Sequence, residues 1–238
     1  MNLRVAVLKF PGSNCDLDVV HVLRNVIGIH AELVWHKEFT SNDWDAVILP
    51  GGFSYGDYLR AGIIAAHSPA MKHVKEMAKE GKPVLGICNG FQILVEAGLL
   101  PGSLLPNNTL TFICKWVNIR TETNRTAFTR KIKPGTVLKI PIAHKEGRYY
   151  IDEKELRELE ENDQIVFRYC DENGNLSEDA NPNGSIGNIA GVTNLEGNVV
   201  GLMPHPERAS EKILSPYGTE DGKLLFLSMV ETLRRGAL

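Results

Sequence analysis

The fold is decided by the stretch Val84-Leu85-Gly86-Ile87-Cys88-Asn89-Gly90-Phe91-Gln92. An apolar run ends at a cysteine between two glycines, and an amphipathic helical pattern begins directly after it. This order predicts a strand that turns sharply into a helix and holds its turn residue in a strained conformation above the sheet. The helix N-terminus favours a thiolate at the turn. Cys88 is therefore a candidate nucleophile, although most free cysteines are simply small buried residues.

A second segment, Pro204-His205-Pro206-Glu207-Arg208, supports the catalytic interpretation of the cysteine. The two prolines predict an extended chain around His205, in which residues i and i+2 point the same way. The Glu207 carboxylate can then accept a hydrogen bond from one imidazole nitrogen, which leaves the other nitrogen to take and return a proton. Alone, His-Pro-Glu would be read as a surface turn. Together with the upstream cysteine, it predicts a triad of Cys88, His205 and Glu207.

These three residues, in this chain order, resemble the triad of class I (triad) glutamine amidotransferases. Segments 50–62, 86–92, 142–149 and 204–208 are similar to one family of that class, the glutaminase subunits of phosphoribosylformylglycinamidine synthase. The resemblance covers essentially the whole chain. It implies that L-glutamine is hydrolysed to glutamate and ammonia through a thioester on the cysteine. The ammonia would serve an ATP-dependent synthetase that makes formylglycinamidine ribonucleotide in de novo purine biosynthesis.

The resemblance also assigns roles around the triad. It places an oxyanion hole at the N–H groups of Gly52 or Phe53 and of Asn89, and glycines allow the close backbone approach that such donors need. It assigns contacts with the substrate glutamine to the four residues Gly51, Gln92, His144 and Gly147. For Gly51-Gly52 alone, an ordinary tight turn would be the simpler interpretation.

Partners and cofactors follow from the same resemblance. The chain has no Gly-x-x-x-x-Gly-Lys-[Ser/Thr] loop, so another polypeptide is expected to use the ammonia. The implied partners are the large synthetase subunit, which would use ATP and Mg²⁺, and a small accessory subunit. No cofactor and no metal are expected in this chain.

Composition limits the class of protein. The chain has 238 residues and a formal net charge of −3, with a pI of about 6.2. This balance suggests neither a nucleic-acid surface nor an anionic membrane target. The four cysteines, Cys15, Cys88, Cys114 and Cys170, show no metal-ligand spacing. Without a charged leader or a long apolar segment, a reduced cytoplasmic protein is expected.

The order of strand and helix patterns predicts the fold class. In the first half, strand patterns at 4–10, 31–35, 46–49 and 84–87 alternate with helical patterns at 16–27 and 68–79. After Pro101, strand-like segments at 109–120, 137–142, 164–169 and 189–202 join helical patterns at 153–161 and 221–235. We expect a single glutamine amidotransferase type 1 domain over residues 1–238. Its fold would be a flavodoxin-like, doubly wound α/β sheet, mostly parallel, with extra antiparallel strands in the second half. A mobile loop is predicted at 173–187.

Other interpretations remain open. An α/β-hydrolase with a cysteine nucleophile shares the strand-turn-helix arrangement, but its acid precedes the histidine by many residues. A stand-alone cysteine hydrolase or peptidase, or a chaperone, of the related class I amidotransferase-like superfamily would share the sheet. It should lack the His205-Pro206-Glu207 segment and Gln92. A catalytically silent binding module would need a defective triad.

Overall fold

The structure is a computed structural model that describes residues 3–236. Its main element is a nine-stranded sheet in the order β2-β1-β3-β4-β11-β10-β9-β6-β7. The strands of this sheet are β1 (Arg4–Lys9), β2 (His30–Trp35), β3 (Ala46–Leu49), β4 (Val84–Ile87), β6 (Ile113–Thr121), β7 (Val137–His144), β9 (Ile165–Cys170), β10 (Ile189–Thr193) and β11 (Val199–Leu202). A separate antiparallel pair joins β5 (Ser103–Leu105) to β8 (Arg148–Tyr150).

Helices cover the parallel part of the main sheet. Those that pack on the parallel strands are α1 (Asp16–His21), α3 (Ala70–Lys79) and α4 (Asn89–Glu96), and the other helices are α2 (Ile63–Ala66), α5 (Glu153–Glu161) and α6 (Lys223–Arg235). Helix α1 continues as a wider π-helical segment, Val22–Ile27, which ends at Gly28 in a left-handed conformation. The pattern at 16–27 thus predicted one continuous helical region correctly, but not its change of winding.

The pairing of the strands changes from parallel to antiparallel within the main sheet. β2, β1, β3, β4 and β11 are parallel neighbours, and every pairing from β11 to β7 is antiparallel. The parallel strands are nearly continuous apolar runs because helices bury both faces of this part. The mostly parallel, flavodoxin-like sheet with added antiparallel strands is therefore confirmed.

The end of β7 lies against the end of β4, although four strands separate β7 from β4 in the sheet order. Cys88 Sγ, just after β4, is 3.7 Å from the Ala143 carbonyl oxygen on β7. The His205 amide, just after β11, donates to the Pro141 oxygen on β7 at 2.8 Å. The antiparallel half therefore folds back, and the carboxyl ends of β4, β7 and β11 meet at one place.

Several boundaries differ from the sequence-based prediction. The strand expected to start at Thr109 starts at Ile113, because Leu110 is left-handed and its amide closes a turn onto the Asn107 oxygen. β7 runs past Ile142 to His144, so Ala143 and His144 lie at the carboxyl edge of the sheet. β5, β8 and α2 were not predicted, because elements of three or four residues carry too little periodicity.

The loop predicted to be mobile has fixed contacts in its second half. Asn183 is fully buried and donates to the Gly147 oxygen at 2.8 Å, and the Ser185 hydroxyl accepts from the Tyr149 amide at 3.0 Å. These bonds anchor 183–185 under β8, so the prediction of mobility is wrong for that part of 173–187. The Asn and Ser content, read as a sign of flexibility, instead supplies the side chains that hold the loop.

No helix among residues 3–236 is long and apolar enough to cross a membrane. The expected single domain reaches past the described residues at both ends, and its extent stays a prediction.

Candidate active site

Cys88 occupies a strained turn between β4 and α4. Its backbone has φ 51° and ψ −103°, a conformation that costs a non-glycine residue about 1–3 kcal/mol. The flanking glycines make the turn possible. A Cβ on Gly86 would lie 2.6 Å from the Gly90 oxygen, and one on Gly90 would overlap the Leu49 carbonyl. The turn therefore has the geometry that the sequence predicts, with the sulfur at the N-terminus of α4.

His205 and Glu207 form a buried pair beside this turn. His205 is 2% exposed and Glu207 is 1% exposed, and the distance from His205 Nδ1 to Glu207 Oε1 is 2.6 Å. Burial alone would lower the pKa of His205, but the Glu207 carboxylate and then the Cys88 sulfur raise it well above its ordinary value. The pair can thus hold a proton on the imidazole, oriented by Glu207.

The local backbone at His205 differs in part from the expected extended chain. His205 itself is non-helical, with φ −103° and ψ 87°, but a 3-10 turn, Pro206–Ala209, begins at the next residue. The proline at the start of the turn brings the Glu207 carboxylate back under the imidazole. The predicted contact is present, but a tight turn produces it.

Strand pairing brings the two halves of the triad to one edge of the sheet. β4 and β11 are parallel neighbours with Ile87 opposite Leu202, so Cys88 and His205 leave the same edge. The Cys88 amide donates to the Leu202 oxygen at 2.8 Å. The Cys88 thiol donates to the Ala143 oxygen, and His205 Nε2 has no hydrogen-bond partner among the described residues. An unpaired imidazole nitrogen near the sulfur is available for proton transfer.

A cavity of about 270 Å³ opens above the sulfur. This volume suits a small amino acid better than a drug-sized ligand, for which about 300–1,000 Å³ is typical. The lining residues are Gly52, Phe53, Asp57, Cys88, Gln92, Phe112, Ala143, His144, Lys145 and Glu146.

The predicted substrate contacts fall into two groups. Gln92 and His144 line the cavity, whereas Gly51 and Gly147 are not among its lining residues. A Cβ on Gly51 would lie 2.7 Å from His205 Cε1, and one on Gly147 would overlap the His144 ring. Direct contact of these two glycines with the substrate stays a prediction. They leave room for the two imidazoles, a packing role that sequence patterns do not reveal.

Of the predicted oxyanion-hole donors, Phe53 is already engaged. Its amide donates to the Gly12 oxygen at 2.9 Å, so it cannot serve a substrate oxygen in this conformation. Within residues 3–236, the amides of Gly52 and Asn89 have no acceptor in the structure. Asn89 lies in the first turn of α4, where amides lack an acceptor within the helix. These two N–H groups remain candidates for the hole.

Gln92 and His144 are each held by a second residue. Gln92 donates to the Glu146 oxygen at 2.5 Å and accepts from Asn89 Nδ2 at 2.9 Å. His144 Nδ1 is 3.0 Å from Asn107 Oδ1, an atom that only accepts, so Nδ1 carries the hydrogen. Burial, and then His205, lower the pKa of His144 to about 4. His144 is thus a neutral imidazole whose Nε2 has no hydrogen-bond partner among residues 3–236.

Sequence reasoning missed Asn107, which orients His144 and also accepts from the Gly147 amide at 3.2 Å. Its only signal was a turn-like Pro106-Asn107-Asn108, which does not point to a site.

Cys15 is a second buried thiol that the sequence did not connect with the triad. Its sulfur accepts from Arg208 Nη2 at 3.2 Å, and burial raises the pKa of the thiol. Ligand atoms of Cys15, His205 and Glu207 lie within 4.8 Å of one another, a spacing that could hold a metal. The Arg208 cation on the sulfur and the existing bond from His205 to Glu207 both oppose a metal there.

Asp57 also lines the cavity and was not predicted. Burial, and then the Glu146 carboxylate, raise the pKa of Asp57 to about 6. Its Oδ1 is buried and has no hydrogen-bond partner in the described part of the chain.

Known proteins resemble this chain along almost its whole length. The family model described as the CobB/CobQ-like glutamine amidotransferase domain matches residues 2–231. Phosphoribosylformylglycinamidine synthase subunit PurQ of Aquifex aeolicus is 57% identical over 96% of this chain and 99% of its own length. The subunit of the same name from Methanocaldococcus jannaschii is 54% identical over 98% of this chain and 100% of its own length. The solved structure of PurLQS from Thermotoga maritima contains a chain with a TM-score of 0.84 and 44% identity, covering 98% of this chain and 100% of that one.

Proposed function

The chain belongs to the CobB/CobQ-like glutamine amidotransferase domain family, and we propose that it is the glutaminase subunit of a phosphoribosylformylglycinamidine synthase. It hydrolyses L-glutamine to glutamate and ammonia, and a synthetase subunit uses the ammonia to make formylglycinamidine ribonucleotide. The observation that carries the proposal is the placement of Cys88. It lies in a strained turn, beside a buried His205–Glu207 pair, at the base of a cavity of amino-acid size.

The proposed reaction begins with attack of the Cys88 thiolate on the side-chain amide carbon of glutamine. The amide oxygen becomes an oxyanion, which the Asn89 and Gly52 amides would stabilise. His205 gives its proton to the departing nitrogen, ammonia leaves, and a γ-glutamyl thioester remains on Cys88. His205 then takes a proton from water, the hydroxide attacks the thioester, and glutamate and the free thiol are regenerated.

The raised pKa of His205 is consistent with the proton transfer to the departing nitrogen. A proton must be present on the imidazole when ammonia leaves, and the Glu207 carboxylate helps to keep it there. Glu207 also fixes which nitrogen faces the reaction, because its bond to Nδ1 leaves Nε2 for the substrate.

Two partners complete the proposed activity. The structure of the Thermotoga maritima relative is a PurLQS complex. We propose that this chain likewise works with a large synthetase subunit, which uses ATP and Mg²⁺, and with a small accessory subunit. This chain would then need no cofactor of its own.

The other interpretations fit the geometry less well. In an α/β-hydrolase the acid would come from a segment well before the histidine, whereas Glu207 follows His205 by two positions and bonds to it directly. A peptidase needs an open groove for an extended chain. The cavity above Cys88 is small, and Gln92 and His144 are both fixed in its wall.

The test is to supply glutamine labelled with ¹⁵N in the side-chain amide to the complex with its synthetase, ATP and ribonucleotide. We expect glutamate release together with ¹⁵N in the amidine product. Quenching with acid during turnover should recover a γ-glutamyl adduct on the Cys88 peptide. Cleavage of peptides without glutamine hydrolysis would instead favour the peptidase.

A further inference from the structure

Cys15 is a buried thiol that the proposed reaction does not use. It is 2% exposed and lies directly before α1. Its sulfur, a ring nitrogen of His205 and a carboxylate oxygen of Glu207 all lie within 4.8 Å of one another. A thiol this close to two members of the triad can fix their geometry without reacting itself.

The turn at Gly51 shows how closely the thiol and the imidazole pack. A Cβ on Gly51 would lie 3.1 Å from Cys15 Sγ and 2.7 Å from His205 Cε1. The Gly51 oxygen accepts from the amides of Asn14 and Cys15, at 3.3 and 3.2 Å. The Cys15 thiol donates to Asn14 Oδ1 at 3.1 Å. The sulfur is therefore attached to the same turn against which the imidazole packs.

Arg208 holds the sulfur from the other side. Its Nη2 donates to Cys15 Sγ at 3.2 Å, and its Nε is 3.4 Å from Asp18 Oδ2 on α1. Arg208 follows Glu207 directly, within the 3-10 turn Pro206–Ala209. The two contacts of the guanidinium therefore attach the turn that carries the triad acid to the start of α1.

The imidazole of His205 needs such support. Its one hydrogen bond in the structure joins Nδ1 to Glu207 Oε1, and a ring held by a single bond can still turn about it. Catalytic groups must be held within about 0.5 Å and 10–20° of the productive geometry. Packing against a sulfur that a charged donor fixes in place removes the remaining freedom of the ring.

We propose that Cys15 and Arg208 act together to position the His205–Glu207 pair, so that His205 Nε2 faces Cys88. Cys15 provides the surface on which the imidazole rests, and Arg208 holds both the sulfur and the turn. Neither residue takes part in proton transfer or bond formation, so both are positioning residues. The inference rests on the proposed glutaminase function and adds to it the residues that keep its histidine in place.

The test measures glutamine hydrolysis by the assembled complex that contains Cys15→Ala. A displacement of about 1 Å can lower a rate about 10²-fold, so kcat should fall by about this factor. The KM for glutamine should change little, because Cys15 is not among the residues that line the cavity. Cys15→Ser keeps a donor for Asn14 and an acceptor for Arg208, and it should recover most of the rate.

Cys170→Ala is the matched control. Cys170 is likewise buried, but it ends β9 and pairs with Asn118 on β6. This variant loses a buried sulfur in the same way and should keep the wild-type kcat. If Cys15→Ala lowers kcat no more than Cys170→Ala in a complex that hydrolyses glutamine, the inference is overturned and the glutaminase function stands. If the wild-type complex hydrolyses no glutamine, the proposed function itself fails.

Arg208→Gln keeps the inference testable if Cys15→Ala does not fold, because the Arg208 side chain is 41% exposed. Loss of the charged bond to the sulfur should lower kcat about 10-fold and leave KM nearly unchanged. Since both residues act through one contact, the double variant should be about as slow as Cys15→Ala alone. A wild-type kcat for Arg208→Gln, or effects that multiply in the double variant, would overturn the proposal.

Discussion

Two buried imidazoles in the site have pKa values that are shifted in opposite directions. The pKa of His205 is raised by Glu207 and Cys88 against the effect of burial, and the pKa of His144 is lowered to about 4, first by burial and then by His205. Environments that push apart the pKa values of two similar groups assign them different roles. We propose that His205 carries the proton, and His144 lines the cavity as a neutral imidazole.

The pKa of His144 predicts how stability depends on pH. Its folded-state pKa is lowered from 6.5 to about 4, so between these values the unfolded chain binds a proton that the folded chain does not. Stability from this group is therefore present above pH 6.5 and is lost as the pH falls towards 4. At 1.36 kcal/mol for each pKa unit, the loss is about 3 kcal/mol.

His144→Gln removes this titration and can still donate to Asn107. Urea unfolding of both proteins across the acidic range measures the difference in their free energies of unfolding. The advantage of the wild type should shrink by about 3 kcal/mol as the pH falls. A difference that stays constant with pH would show that His144 is not held neutral.

At the residue scale, the triad could be predicted from the sequence because each member lies in a motif whose neighbouring residue types have a structural explanation. Cys88 needs small neighbours, and Glu207 follows a proline that fixes the turn. The same reasoning did not reveal that Gly51 packs against His205 and Gly147 against His144, because no local sequence pattern predicts these contacts. It also missed Asp57, since an acidic residue in a loop has no distinguishing pattern.

At the element scale, the junction of β4 and α4 depends on close approach of the helix to the sheet. Gly90 lies in the first turn of α4, and a side chain there would overlap the Leu49 carbonyl at the end of β3. The position of Cys88 therefore depends on the absence of a single methyl group two residues away.

Gly90→Ala should force α4 away from β3 and move the Cys88 turn. We expect a loss of about 1–3 kcal/mol in the free energy of unfolding and a large loss of glutaminase turnover. Gly135→Ala is the control, since Gly135 has φ +87° but open space around it. It should cost about 1–2 kcal/mol through backbone strain and leave turnover unchanged. Full activity of Gly90→Ala would contradict the role assigned to this contact.

Several elements could be predicted from the sequence, the buried strands because they are continuous apolar runs and the helix because it is long enough to show a helical pattern. The strands 46–49 and 84–87 and the helix 153–161 match the structure residue for residue. No sequence pattern indicated that β7 folds back onto β4, which is what places Ala143 and His144 at the nucleophile. Such contacts arise from the twist of the whole sheet and not from any local pattern.

At the scale of the whole molecule, we expect the synthetase subunit to control glutaminase activity through the oxyanion hole. The Phe53 amide donates to Gly12, and both open φ regions are available to the preceding Gly52. A flip of the Gly52–Phe53 peptide group would change which donors face the cavity. One missing donor costs about 10²–10³ in rate, enough to keep an isolated chain from wasting glutamine.

We therefore expect weak glutaminase activity from the isolated chain and a rise of at least several-fold when the liganded synthetase binds. Glutamate release should be measured for the chain alone and for the complex, with and without ATP and ribonucleotide. Equal turnover in every condition would remove the regulatory role of this turn and leave the triad intact as a free-standing glutaminase.

The central claim is that Cys88 generates the ammonia and the synthetase consumes it. The most direct test is the nitrogen-donor preference of the complex that contains Cys88→Ala. Loss of the nucleophile should reduce glutamine-dependent synthesis by several orders of magnitude, since triad members act as a unit. Synthesis from added ammonium chloride should stay near the wild-type rate. Continued glutamine-dependent synthesis by the Cys88→Ala complex would contradict the account.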